Sequence, residues 1–126
     1  MSIFTHVVVG TNDLERARRF YDAALDALGL KRQSDYEKAS VWGTATSHFI
    51  VTSPVNGLPA TWANGGTIGF VAPNRAAVDE FHRLALANGG HDEGAPGPRS
   101  YLPNLYAAYV RDPDGNKLVA SCTRPE

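Results

Sequence analysis

Between Ile3 and Val9 the chain is apolar and β-branched, and Gly10-Thr11-Asn12-Asp13 follows with turn and N-cap residues, so a strand is expected to feed a helix. From Leu14 the apolar spacing lengthens. Leu14, Ala17, Phe20, Tyr21, Ala24, Leu25 and Leu28 share one helical face, while Glu15, Arg16, Arg18, Arg19 and Asp26 take the other, and Gly29 supplies a C-cap. Three stretches of β type come next, at 31–36, 38–42 and 47–52, separated by breaks of which Gly43-Thr44 is the clearest.

After a segment rich in proline and glycine at 55–66, the same order begins again. Thr67 to Ala72 reads as a strand, Pro73-Asn74 starts a helix, and Val78, Phe81, Leu84, Ala85 and Leu86 recur at helical spacing until Gly89-Gly90. Sliding the first half along the chain so that His6 falls on Thr67 also puts Phe20 on Phe81, Leu25 on Leu86 and Gly29 on Gly90. The chain therefore reads as two copies of one β-α-β-β-β unit: module one at about 1–54, a connector at 55–66 and module two at about 67–126, together one α+β domain.

The second copy ends in a strong hairpin signal. Asp112-Pro113-Asp114-Gly115 lies between two apolar runs, with proline presetting φ at one turn position and glycine accepting a positive φ two residues on. A glycine closing such a turn often introduces a bulge, so Arg111 is placed opposite Lys117. One face then carries Ala107, Tyr109, Arg111, Lys117, Val119 and Ser121, a mixed set suited to solvent or ligand. The other carries Ala108, Val110, Leu118, Ala120 and Cys122, which require a core. Before the hairpin, residues 94–104 are rich in glycine and proline and read as a loop, a candidate wall or lid.

Composition narrows the classes. The net charge of −1, with both signs spread along the chain, argues against a nucleic-acid or membrane surface. The one cysteine, Cys122, has no partner for an internal disulfide, and no apolar run reaches bilayer length. With no charged-then-apolar leader in the opening residues, a cytoplasmic protein is the expectation.

The tandem units, the His in the opening strand, the helix start Asp-Leu-Glu-Arg-Ala-Arg-Arg-Phe-Tyr and the hairpin Arg-Asp-Pro-Asp-Gly-Asn-Lys together resemble the glyoxalase/bleomycin-resistance/extradiol-dioxygenase superfamily, also called vicinal oxygen chelate proteins. The resemblance covers nearly the whole chain. It implies two βαβββ modules whose sheets curl into a cup with the helices outside, a small molecule held within, and commonly a homodimer. It also implies a divalent metal, held by one residue from the first strand and one from the last strand of each module. Those positions here are His6, Ile50, Thr67 and Val119. Valine and isoleucine have no donor atoms, so a metal held in the family manner is not expected, and no other cofactor is implied.

Strand alternation places His48 on the same face as Ile50, so His6 and His48 form the sharpest polar pair; they are the candidates for a displaced metal site, and His6 for a general base. Tyr109 shares its face with Val119 and offers an apolar wall ending in a hydroxyl. Arg99 and Tyr101, in the loop-like stretch, are candidates for holding an anionic ligand. The resulting ligand-binding set is His6, His48, Ile50, Thr67, Arg99, Tyr101, Tyr109 and Val119. Three functions are compatible with it. The first is a small-molecule binder with a degenerate metal site, which sequesters a drug or metabolite or catalyses without metal. The second is a metal-dependent lyase, isomerase or dioxygenase. The third is a non-catalytic interaction domain presenting Trp42, Trp62 and Tyr106 as an exposed patch.

Overall fold

The computed structural model describes residues 2–126. Module one runs β1 (His6–Gly10), α1 (Leu14–Asp26), β2 (Lys31–Asp35), β3 (Ala39–Gly43) and β4 (His48–Thr52). Module two runs β5 (Ile68–Val71), α2 (Arg75–Ala87), β6 (His91–Pro98), β7 (Tyr106–Arg111) and β8 (Lys117–Cys122). Each module folds its strands into a mixed four-stranded sheet, in the orders β1-β4-β3-β2 and β5-β8-β7-β6. In each, the first and last strands pair in parallel through the helical crossover and the rest are antiparallel. The two sheets do not close into one, and β1 and β5 are both edge strands.

The helices begin where their caps dictate. Asp13 Oδ1 accepts from Arg16 N at 3.0 Å, and Asn74 Oδ1 accepts from Ala77 N at 2.8 Å. Their apolar faces bury Ala17, Phe20, Tyr21, Ala24 and Leu25 in α1, and Ala77, Val78, Phe81 and Ala85 in α2. The helices touch each other, and a single core runs through both modules. Its aromatic centre is continuous: Tyr21 lies 5.5 Å from Trp42 and 5.0 Å from Phe49, and Phe49 lies 5.2 Å from Phe70 across the boundary.

The repeat is one residue shorter at the end of the second helix. Leu30 N and Gly90 N donate to the equivalent carbonyls of Leu25 and Ala85, so Gly90 stands where Leu30 stands in module one. No side chain fits there. A Cβ on Gly90 would lie 2.7 Å from Phe20 Cε1, 2.8 Å from Ala85 O and 2.9 Å from Arg111 O. Leu86, matched to buried Leu25 by the sequence repeat, is 39% exposed.

The terminal hairpin has the expected register, with Arg111 opposite Lys117 and Tyr109 opposite Val119. Ala108, Val110, Leu118, Ala120 and Cys122 are all buried. The stretch at 94–104 is a correction: residues up to Pro98 belong to strand β6, and only the remainder forms the loop before β7. Composition misleads here because β6 is an edge strand, where a proline without an N–H is tolerated. Its pairing with β7 shifts register between Asp92 and Gly94 and again between Gly94 and Gly97.

The Asp-Pro-Asp-Gly-Asn turn joins the modules. Asp112 Oδ2 accepts from the Tyr21 hydroxyl at 2.5 Å and from Asn116 Nδ2 at 2.9 Å, and its Oδ1 accepts from the backbone N–H groups of Asp114 and Asn116. Asp114 accepts from Thr11 Oγ1 at 2.6 Å, Asn12 N at 2.9 Å and Arg16 Nη2 at 2.8 Å, while Asn116 Nδ2 donates to Gly10 O at 3.1 Å. Burial raises the Asp112 pKa above the ordinary carboxylate range, against the opposing effect of its hydrogen bonds from Tyr21 and Asn116. Burial, together with the neighbouring carboxylate, holds the Tyr21 phenol well above its usual value, so it remains the donor.

Candidate functional site

Alternation along the strands decides what reaches the face opposite the helices. In β1, Val7 and Val9 pack against the core, so His6 and Val8 point the other way. The β1–β4 register sets His6 beside His48 and Val8 beside Ile50. In module two, Ile68 pairs with Leu118 and Gly69 with Val119, so Thr67 and Lys117 occupy the places that His6 and His48 hold in module one, and Val119 matches Ile50.

These side chains line two depressions. In module one, His6, Gln33, Ser34, Tyr36, Val41, His48 and Ile50 surround about 280 Å³. The His48 Nδ1 lies 3.1 Å from Gln33 Oε1, an acceptor, which assigns the proton to Nδ1 and leaves the Nε2 lone pair free in the neutral ring. The His6 Nδ1 lies 2.9 Å from Thr5 Oγ1. In module two, Thr67, Glu93, Gly94, Arg99, Tyr101, Tyr109 and Lys117 surround about 480 Å³. The Tyr109 ring has the Arg99 guanidinium 5.7 Å from its centroid and the Lys117 Nζ at 5.3 Å.

Of the eight residues singled out in the sequence, His6, His48 and Ile50 thus gather in module one, and Thr67, Arg99, Tyr101 and Tyr109 in module two. Val119 pairs with Tyr109 across the hairpin, and its Cγ1 stands 3.4 Å from where a Cβ on Gly69 would lie. Gln33, Ser34, Tyr36 and Val41 join the module-one depression without a signal in the sequence. Strand β2 reads Lys-Arg-Gln-Ser-Asp, with no apolar alternation to show which residues face inward. Lys117 lies on the face of Tyr109, as the alternation of the hairpin requires, and borders the same depression. The turn aspartates are engaged elsewhere: Asp114 meets Arg16, and Arg111 instead donates to Gly115 O at 2.8 Å.

The donor set does not suit a divalent metal held as in the resembled superfamily. Two of the four positions, Ile50 and Val119, are aliphatic, and among the described residues no three His, Cys, Asp or Glu side chains converge. The aromatic-patch reading also loses its main member. Trp42 is fully buried and its Nε1 donates to Asp22 at 3.0 Å, Tyr106 hydrogen-bonds Asp79 at 2.6 Å, and Trp62, with its ring beside Gly115, stays 53% exposed. Cys122 is a buried core residue. Among the described residues no helix is long and apolar enough to cross a membrane.

Comparison with known proteins agrees with this architecture. A crystal structure of a glyoxalase/bleomycin resistance protein from Albidiferax ferrireducens T118 superposes with a TM-score of 0.91 at 45% identity, covering 98% of this chain and 100% of that one. A lactoylglutathione lyase from Agrobacterium tumefaciens shares the fold at a TM-score of 0.67 and 23% identity, over 97% of this chain and 94% of that one. Lactoylglutathione lyase from Arabidopsis thaliana is 29% identical over 117 residues, which are 89% of this chain but only 41% of the plant protein. The family model for the Glyoxalase/Bleomycin resistance protein/Dioxygenase superfamily matches residues 3–119, and the chain belongs to that superfamily.

Proposed function

We propose that this protein binds a small organic molecule on the concave faces of its modules, without the superfamily's usual metal, and so sequesters a drug or metabolite or acts on it by metal-independent chemistry. The observation that carries this reading is the register that makes Ile50 and Val119 equivalent, so that both last-strand positions are aliphatic. They supply apolar contact where the metal enzymes of the superfamily need a ligand atom, while imidazole, phenol, guanidinium and ammonium groups lie around them. A second copy of the chain is proposed as the natural complement, because β1 and β5 are edge strands on which Val8 and Val71 are 49% and 84% exposed.

The test combines elemental analysis of protein purified without chelator with thermal melting. The expected result is no stoichiometric metal, no saturable shift with Zn²⁺, Ni²⁺, Mn²⁺ or Fe²⁺, and a saturable shift with a member of a small-molecule library. Sedimentation of the same sample reports the dimer.

A second reading, a metal-dependent lyase, isomerase or dioxygenase, is favoured by one observation: His6 and His48 are register partners on adjacent strands. One bound equivalent of metal, lost in His6→Ala, would establish it in place of the first.

A further inference from the structure

The depression of module two is set up for charge. Several other arginines meet a carboxylate: Arg16 with Asp114, Arg18 with Glu15, Arg32 with Asp22, Arg83 with Glu80. Arg99 and Lys117 form no salt bridge among the described residues, although both border the same cavity and both face the Tyr109 ring. The acid in that cavity, Glu93, lies 3.6 Å from Arg111 Nε, outside the pair.

Arg99 is also held in place. Its Nη1 donates to Gly97 O at 2.9 Å and to Pro98 O at 3.3 Å, and its Nη2 donates to Ala95 O at 2.9 Å. These carbonyls belong to the last residues of β6, next to its register shift between Gly94 and Gly97. The guanidinium plane is thereby fixed, while Nε makes no hydrogen bond among the described residues. Both cations border one depression without a carboxylate partner of their own, so an anion that reaches them gains charge-assisted hydrogen bonds that no side chain supplies.

Resting on the reading of the concave faces as ligand-binding, we propose that the module-two depression binds the carboxylate of a small organic acid, with the Arg99 guanidinium and the Lys117 ammonium as its charge partners. One planar guanidinium edge and one point charge match a singly charged carboxylate, which takes two parallel N–H bonds. The cavity of about 480 Å³ has room for a compact organic body beside the carboxylate.

The experiment is an amide-shift NMR titration of the intact chain, at constant ionic strength, with benzoate, phenylacetate and hexanoate, their neutral amides, and inorganic phosphate. At least one acid is expected to shift the amides of residues 94–99 and 117–119 saturably, and to bind about tenfold or more tightly than its amide, the difference given by one charge-assisted hydrogen bond. Lys117→Gln is the principal variant, since Lys117 makes no side-chain hydrogen bond that holds the fold, and Arg99→Gln is the second; each is expected to weaken the acid about tenfold and leave the amide unchanged. Equal binding of acid and amide, tighter binding of phosphate, or acid binding indifferent to Lys117→Gln overturns the proposal. If only neutral amides bind, the general ligand-binding reading survives and the carboxylate is rejected. If no probe shifts any concave-face residue below about 10 mM, this proposal is overturned, and the library screen then decides the general reading separately.

Discussion

The concave faces of the two modules share a framework but differ in chemistry. Strand order, parallel pairing of first and last strands, and the aliphatic pair Ile50 and Val119 are the same in both. Around that shared centre, module one presents His6, His48 and Gln33, and module two presents Thr67, Lys117, Arg99 and Tyr109. On the inner faces Phe20 and Phe81 are both fully buried at matching positions of the two helices. The two modules thus match in framework while their open faces carry different chemistry. Module one presents imidazoles, and module two presents the Arg99 and Lys117 cations.

The largest expected effect tests whether the modules are one cooperative unit. Asp112→Ala removes the acceptor for the buried Tyr21 hydroxyl and for Asn116, and is expected to cost about 3 kcal/mol, read by urea denaturation. A loss below about 1 kcal/mol would mean that the turn is not what joins module two to module one.

Next comes the place where the repeat is broken. Gly90→Ala must displace Phe20 or backbone, at an expected cost of about 2–3 kcal/mol. Gly29→Ala, at φ +80° in open space, should cost only about 1 kcal/mol from the left-handed backbone. Equal losses in thermal or chemical unfolding would show that the two helix ends are alike after all.

Acidity probes the same turn more finely. A carboxyl whose folded-state pKa is raised binds its proton at higher pH than in the unfolded chain. The stability it contributes therefore falls as pH rises through the window between the ordinary aspartate range and the raised value. Asp112→Asn lacks this dependence, so its penalty relative to the unsubstituted protein is expected to grow as the solution is taken from about pH 7 toward about pH 4. A penalty that shrinks on acidification would place the Asp112 pKa below the ordinary range instead.

The smallest effects concern the open faces themselves. His6→Ala and His48→Ala are each expected to change stability by less than about 0.5 kcal/mol, since both project from the sheet away from the core. A larger loss in either would make that imidazole part of the scaffold and weaken the contrast between the faces.

Much of this protein was legible in its residues. Local periodicity identified both helices and nearly every strand, because α1 and α2 each bury one stripe and β7 and β8 each bury one face. The facing of Tyr109, Lys117 and Val119 followed from the bulge at the turn, and the aliphatic metal positions were visible as Ile50 and Val119. Side-chain chemistry and short-range geometry suffice for such features. Strand β6 was hidden by its glycines and prolines, and the inward residues of β2 by its uniform polarity. Neither signal exists until a neighbouring strand supplies the register. Tertiary structure alone decided that Asp112 and Asp114 bind Thr11, Arg16 and Tyr21, about a hundred residues away. It alone decided that Gly90 makes room for Phe20, and that Arg99 and Lys117, from different strands' ends, both come against the Tyr109 ring. Each depends on which surfaces the folded modules bring together, which no local pattern encodes.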